Sequence, residues 1–176
     1  MPAPMEDLGP CEMTWDPDGT PVNLKPFFGG VKLRDSGIVK DIFEDGQGET
    51  PVDAVDMGRI VEVESIMTRP NITQLETVIM GSVKSGAGTG TTLKVSNTVG
   101  NPLLAQAKEL RIKPAVDNAA SADTSEWVHV WKCYPVIDKE IAYDTTGQRV
   151  WKVNWKCFPS DETGKINEIY RYGAQV

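Results

Sequence analysis

The stretch RIVEVESIM, residues 59–67, alternates apolar and polar side chains and sets the fold class. As an extended chain it places Val61, Val63 and Met67 on one face and two glutamates, Glu62 and Glu64, on the other. A period of two with one polar face is typical of an antiparallel strand that covers a core on one side and meets water on the other. The sequence therefore predicts a sheet with one solvated face.

Composition agrees with one β-rich globular domain. The chain has 176 residues, of which 40% are hydrophobic and 24% are charged, the usual proportions of a folded domain. Its 16 glycines and 12 prolines favour short strands joined by turns over a helical bundle. Because the first residues are rich in proline, aspartate and glycine, we predict an extended N-terminal arm at 1–21 and a single β-rich domain at 22–176.

Further strands are predicted on both sides of residues 59–67. A turn is predicted at Asp56-Met57-Gly58, since aspartate and glycine favour turns. Residues 85–92, SGAGTGTT, are predicted to form a flexible loop. The segment 39–44, VKDIFE, looks like a strand but mixes apolar and charged residues on both faces. The other predicted strands are 30–35, 50–55, 92–97, 127–135, 151–159 and 166–172.

Two short helices are predicted between the strands. Asn71 is suited to cap a helix that runs to about Met80, with Gln74 completing a capping box and Gly81 ending the helix. Pro102 after an asparagine favours a second helix over 103–110. The alternative for this second segment is an extended chain over 110–114.

The C-terminal third contains a sequence repeat. WVHVWKCYP at 127–135 and WKVNWKCFP at 151–159 share the pattern W-x-x-x-W-K-C-[YF]-P. In a strand, the two tryptophans and the cysteine of each copy fall on one face, so we interpret the copies as two strands of one sheet. An alternative is a carbohydrate-binding β-sandwich that uses exposed tryptophans as stacking platforms, namely Trp127, Trp131, Trp151 and Trp155.

No residue pattern indicates an enzyme or a cofactor. The three cysteines, Cys11, Cys133 and Cys157, form no C-x-x-C pair, and His129 is the only histidine, so neither a disulfide framework nor a zinc site is expected. We interpret the cysteines as free thiols, with Cys133 and Cys157 as spatial neighbours because of the repeat. The glycines of residues 86–90 lack the spacing of a dinucleotide or phosphate loop.

The charge argues against a protein that grips nucleic acid. The net charge is -7, and residues 1–58 alone contain 12 acids and 4 bases. A binder of phosphates needs a basic face. The sequence contains no apolar run long enough to span a membrane and no visible secretory signal, so we expect synthesis in the cytoplasm.

The stretch GQGETPVDAVDMGRIVEVE, residues 46–64, resembles a segment of the major tail tube proteins of tailed bacteriophages. The shared pattern is G-x-x-P-V-D-x-V-x-x-G-x-x-V-x-V. The surrounding order is also similar: an early G-x-V-x-L strand, an acidic strand, the P-V-D segment, a long alternating strand, a short leucine-bearing helix and aromatic strands that finish with Tyr-Gly.

The resemblance implies a fold and an assembly. The fold would be a tail-tube-type antiparallel β-sandwich or barrel with one or two short flanking helices. Copies of the chain would form hexameric rings that stack into the tube of a virion, and the acidic bore would conduct the genome into the bacterial host without binding it specifically. Other expected partners are the tape measure protein, the terminator, the baseplate and, in a contractile tail, the sheath. No membrane partner and no cofactor are implied.

The same resemblance suggests which residues face the bore. The candidate lumen-facing acids are Asp41, Glu44, Asp45, Glu62 and Glu64. Alternatives within the same assembly are a tail terminator, a head–tail connector or a tube-like baseplate-hub protein. The carbohydrate-binding β-sandwich is the alternative from another class.

Overall fold

The computed structural model describes residues 11–24, 30–45, 49–68, 70–96, 99–100, 102–116, 119–138 and 150–174. The single α-helix in this part of the chain is α1 (Ile72–Val78). The strands are β1 (Cys11–Trp15), β2 (Val22–Leu24), β3 (Val31–Ile42), β4 (Asp53–Thr68), β5 (Ser82–Ser85), β6 (Thr92–Val95), β7 (Lys108–Val116), β8 (Ala119–Ala120), β9 (Val128–Asp138), β10 (Val150–Phe158) and β11 (Tyr170–Tyr172). The predicted class, mainly β with a short helix, is confirmed.

The strands form one large sheet and one small hairpin. In the large sheet the order is β2-β1-β7-β9-β10-β4-β3, with β8 added at the end of β7 and β11 at the start of β9. β5 and β6 form the separate hairpin, joined by the glycine-rich segment predicted as a loop. The described pairings are all antiparallel. β11 is shorter than the predicted strand over 166–172.

Two tryptophans indicate that the large sheet is strongly curved. Trp15 of β1 and Trp155 of β10 lie three strands apart in the sheet order, which corresponds to about 14 Å in a flat sheet. Their ring centroids are nevertheless only 5.2 Å apart. The sheet therefore curls, and its apolar side becomes a concave face that encloses the core.

Trp155 lies in the middle of this core. Its side chain is completely buried, and its indole N–H donates to the hydroxyl of Ser65 on β4 at 3.0 Å. Because Ser65 is buried too, this hydrogen bond satisfies both polar groups away from water. The other core side chains include Met13, Leu24, Val63, Met67, Val78, Leu110, Val130, Cys133 and Val153.

The helix α1 begins where the sequence predicts. The Asn71 side chain accepts from the backbone N–H of Gln74 at 2.8 Å, and the Gln74 side chain accepts from the backbone N–H of Asn71 at 3.0 Å. This reciprocal capping box satisfies two donors at the start of the helix. Val78 and Ile79 bring the other end of α1 into the core, and Gly81 follows with a positive φ of 78° that ends the helical path.

The predicted turn at Asp56-Met57-Gly58 is wrong, because β4 runs through these residues. The pairing with β3 shifts here, so that Met57 and Gly58 together oppose the single residue Ile38. This β-bulge uses the residue types of a turn: Gly58 has a φ of 104°, and the Asp56 carboxylate accepts from the Gly58 N–H at 2.8 Å. The residues are those of a turn, but the pairing with β3 keeps the chain extended.

The predicted helix over 103–110 is also wrong, and the alternative, an extended chain over 110–114, is confirmed. Leu103–Gln106 form a single 3₁₀ turn, with Pro102 at its N-cap, and β7 begins at Lys108. β7 pairs with β1 on one side and with β9 on the other. These two hydrogen-bond ladders outweigh the weak helix propensity of a short segment.

The two repeats form adjacent strands of one sheet, as predicted, but the first repeat does not keep its predicted face. In β9 a bulge leaves Trp131 and Lys132 together opposite Glu109 of β7. The alternation is therefore displaced by one residue: Val130 and Cys133 face the core, whereas Trp131 packs on the opposite side of the sheet. The second repeat has no such interruption.

Residues 11–15, predicted as part of an extended arm, form the internal strand β1. β1 pairs with β2 on one side and with β7 on the other. Met13 and Trp15 are buried in the core. The folded domain therefore includes the chain from Cys11 onward, and residues 1–10 lie outside the described part.

We predict that Ser65→Ala lowers the free energy of unfolding by about 1–3 kcal/mol, because it leaves the buried indole N–H of Trp155 without an acceptor. The measurement is urea denaturation followed by circular dichroism. In a Trp155→Phe background the donor is absent, so adding Ser65→Ala should cost much less. An equal cost in both backgrounds would contradict the role of this hydrogen bond.

Candidate functional site

The candidate functional site is a β-hairpin that extends beyond the body of the large sheet. We call residues 37–58, at the ends of β3 and β4, the projecting hairpin. β10 pairs with β4 only over residues 62–68, so this part of β4 has β3 as its neighbour on one side and no described strand on the other. β3 is the last strand of the sheet. Within the described part of the chain, both edges of the hairpin are therefore open over about 20 Å.

The projecting hairpin exposes large apolar side chains on both faces. Ile38 and Val39 are consecutive in β3, so they point to opposite sides of the hairpin, and both are exposed. Seven such side chains have exposed fractions between 41% and 63%: Ile38, Val39, Ile42, Phe43, Val52, Val55 and Met57. Apolar clusters of this kind mark surfaces that contact another molecule.

The same hairpin has a strongly negative net charge. Residues 37–58 contain six acids and one base, a net charge of -5 out of -7 for the whole chain. Three of the five candidate lumen-facing acids, Asp41, Glu44 and Asp45, are among them and are exposed. The hairpin therefore combines apolar contact area with a negative local potential.

Glu62 and Glu64 lie elsewhere, on the convex polar face of the sheet. They share this face as the alternation predicts, but basic side chains surround them. Glu64 lies 3.4 Å from the Arg34 guanidinium and 3.3 Å from the Lys152 ammonium, and the hydrogen bond with Lys152 is the main cause that lowers the pKa of Glu64. The basic neighbours on adjacent strands are Lys32, Arg34, Lys152 and Lys156.

The five candidate acids therefore do not form one surface. Lys32 and Arg34 lie on one face of β3, and their partners in β4 are Glu64 and Glu62. Strand alternation places Asp41 on the opposite face of β3. The acids of the projecting hairpin have a negative environment, whereas the two glutamates of the sheet have a mixed and locally basic one.

A second polar cluster lies on the convex face where β7 meets β9. The Glu109 carboxylate accepts from Arg111 at 2.7 Å and lies 3.0 Å from Nδ1 of His129. The His129 ring is buried between Trp127 and Trp131. Burial raises the pKa of Glu109, but its hydrogen bonds with His129 and Arg111 outweigh that effect and hold the pKa below 4.5. These mutual contacts hold the three side chains together where β7 pairs with β9.

The tryptophans of the repeats do not form an exposed stacking platform. Trp155 is completely buried and Trp131 is 3% exposed. The Lys165 ammonium lies 4.0 Å from the centre of the Trp131 ring, and Glu168 accepts from the indole N–H of Trp131 at 3.1 Å. The indoles at these two positions are thus unavailable to a sugar, whereas Trp127 and Trp151 are half-buried.

A cavity of about 650 Å³ lies beside Trp131 and is lined by charges of both signs. These charges pair with one another across its wall, as in the ion pairs of Lys132 with Asp161 and of Lys165 with Glu162.

Among the described residues, no group of three or more histidine, cysteine, aspartate or glutamate side chains is arranged to hold a metal ion. The described helices include none with the length and apolar character needed to cross a bilayer.

No protein-family model matches the chain, and no curated protein matches it.

The exposed apolar residues of the projecting hairpin were not predicted as a site. The signal in the sequence was the mixed pattern of residues 39–44. As a strand, this segment places apolar and charged side chains together on both of its faces. A strand of the domain body requires one apolar face, so the mixture indicates a segment that leaves the body. The motif segment at 46–64 includes the returning strand of this hairpin, although residues 46–48 lie outside the described part.

We predict that Glu109→Gln lowers the free energy of unfolding at pH 7 by about 1–3 kcal/mol, because it weakens the contacts with Arg111 and His129. The folded-state pKa of Glu109 is depressed, so its ionic contribution is present above the unfolded value of 4.5 and is lost as the pH falls through the folded pKa. The variant should therefore lose less stability on acidification than the wild type.

The measurement is urea denaturation at pH 7 and at several acidic values. The exposed Glu162→Gln is the control and should show a small effect at every pH. Parallel stability curves for the wild type and Glu109→Gln would contradict the assigned role.

Proposed function

We propose that this chain is a structural subunit of a bacteriophage tail tube, which self-associates into hexameric rings that stack around a channel for the genome. The projecting hairpin, with its open edges and exposed apolar side chains, is the observation that carries the proposal. The resemblance of residues 46–64 to tail tube proteins supports the same assignment, because this segment forms much of the returning half of the hairpin and the strand that anchors it.

An isolated two-stranded hairpin is marginally stable in water, and open strand edges favour pairing with another chain. Covering a half-exposed side chain of the size of valine or phenylalanine contributes about 1 kcal/mol. Seven such residues provide several kcal/mol, which is comparable with the cost of associating two proteins, about 4–15 kcal/mol. Assembly through this hairpin should therefore depend on concentration and on each large apolar residue.

Ring closure would remove the open edges. A contact between two different surfaces of identical copies closes into a ring when the rotation between copies divides a full turn. Neighbouring copies would then cover each hairpin, and the hairpin would gain the partner that the isolated chain does not provide. The proposed partners are thus other copies of this chain and the remaining proteins of the tail, with the virion as its location.

The charge distribution supports a channel that nucleic acid crosses without binding. DNA binds basic surfaces because the contacts release counterions from its phosphates, and an acidic wall removes this attraction. The acids of the projecting hairpin, Asp41, Glu44 and Asp45, have the negative surroundings that such a wall requires. Glu62 and Glu64 contribute less, since bases surround them.

We predict that Val39→Ser combined with Phe43→Ser reduces or abolishes self-association, because it removes two of the largest exposed apolar contacts of the hairpin. The measurement is analytical ultracentrifugation over a concentration series, with negative-stain electron microscopy of the assembled wild type. The matched control is Val83→Ser, which removes a 59% exposed valine from β5.

We expect the wild type and the control to form rings or tubes, and the double variant to form neither. A wild type that stays monomeric at high concentration would overturn the proposal, and so would a double variant that assembles like the wild type. Single rings that never stack would indicate a terminator or connector instead of a tube subunit.

We predict that lysine in place of Asp41, Glu44 and Asp45 slows genome ejection from assembled particles, because a basic wall holds phosphates by counterion release. The measurement is the rate of DNA release from purified particles at two salt concentrations. The effect should weaken at the higher salt. Glu62→Lys is the comparison, and it should change the rate less because its surroundings are already basic. An unchanged rate in the triple variant would exclude these acids from the channel wall.

A further inference from the structure

Cys133 and Cys157 lie opposite each other on neighbouring strands. β9 and β10 are antiparallel, and their register pairs Cys133 directly with Cys157. The two Sγ atoms are 3.5 Å apart. Directly opposed residues of an antiparallel pair have Cα atoms about 4.5–5.5 Å apart, within the range that a disulfide bond spans. Both side chains also belong to the same face, where Cys133 is part of the core and Cys157 packs against it.

Both thiols are free in the described structure, and the covalent bond would need only a small movement. A disulfide has an S–S distance of about 2.0 Å, so the sulfur atoms must approach by about 1.5 Å, which side-chain rotation can supply without changing the strand register. The β9–β10 register sets this arrangement, because directly opposed residues of an antiparallel pair point to the same side of the sheet.

We propose that Cys133 and Cys157 form an oxidation site, at which a peroxide-class oxidant converts the dithiol into an intramolecular cross-strand disulfide. Hydrogen peroxide oxidises the thiol of Cys157 to a sulfenic acid and releases one water molecule. The sulfur of Cys133 then attacks the sulfur of that sulfenic acid, the S–S bond forms, and a second water molecule leaves. The two thiols lose two electrons in total, and the peroxide gains them.

The order of the two steps follows from exposure. Cys133 is completely buried, whereas Cys157 is partly exposed and meets the oxidant first. Burial also raises the pKa of the Cys133 thiol, so a dissolved oxidant attacks it slowly, whereas the sulfur of Cys157 lies only 3.5 Å away. In the tight core, the neighbouring thiol is closer to the sulfenic acid than any second protein molecule.

Cys11 provides an internal control. It pairs with Pro114 in β7, whereas Cys133 pairs with Lys108 in the same strand. Six residues along a strand correspond to about 20 Å, so Cys11 lies too far away to compete for either partner. Burial raises the pKa of the Cys11 thiol to about 11, which keeps it protonated near neutral pH.

The experiment treats the purified full chain with hydrogen peroxide and then counts free thiols after denaturation. The count should fall from three to one, and non-reducing peptide mapping should identify the Cys133–Cys157 link. The melting temperature should rise by roughly 5 °C, because the bond closes a loop of the chain, and a reductant should reverse the rise. Cys11→Ser should form the same link and lose both of its remaining thiols.

Cys157→Ser should keep both of its thiols at the same peroxide dose and show no reversible rise in melting temperature. Its partly exposed position tolerates serine, so folding of this variant can be verified by circular dichroism. Three outcomes would each overturn the proposal. They are three surviving thiols in the wild type, a link between Cys11 residues of two chains, and a Cys133–Cys157 link that forms only in urea.

Discussion

The burial of Trp155 is the constraint on which the architecture depends. A large indole in the middle of a sheet can be removed from water only if other strands cover it, and its N–H needs an acceptor inside the core. Trp15 covers the ring from a strand three positions away, and Ser65 accepts the N–H. The sheet must therefore curl, and α1 with the small β5–β6 hairpin packs against the concave side that results.

Curling accounts for the core, but it leaves the far ends of β3 and β4 uncovered. These two strands are the longest in the described structure, with 12 and 16 residues, and only part of β4 pairs with β10. The remaining length extends as the projecting hairpin. The described part of the chain leaves its large apolar side chains exposed. The proposed self-association follows from this geometry together with the resemblance in residues 46–64.

The sequence predicted local features well where short-range chemistry decides them. The capping box at Asn71 and the alternation of residues 59–67 both depend on neighbours within a few positions, and both have the predicted form. The prediction of a helix over 103–110 did not survive, since pairing with β1 and β9 outweighs a weak local preference. Residues 11–15 of the predicted arm differ from the prediction for the same reason. They form a strand because they pair with β2 and with β7, and β7 is distant in sequence.

In the candidate site, too, some features follow from the local sequence and others from pairing between distant strands. The sequence by itself determined that the acids concentrate in the first third of the chain, that the repeats form neighbouring strands and that Glu62 and Glu64 share a polar face. Only the tertiary structure decided which acids lie together, because the bases around Glu64 come from β3 and β10 and the open edges of the hairpin depend on where β10 ends. It also decided the face of Cys133, because a bulge moves every later residue of a strand to the other side. A periodic pattern specifies alternation, whereas register and bulges depend on hydrogen bonds to strands that the pattern does not contain.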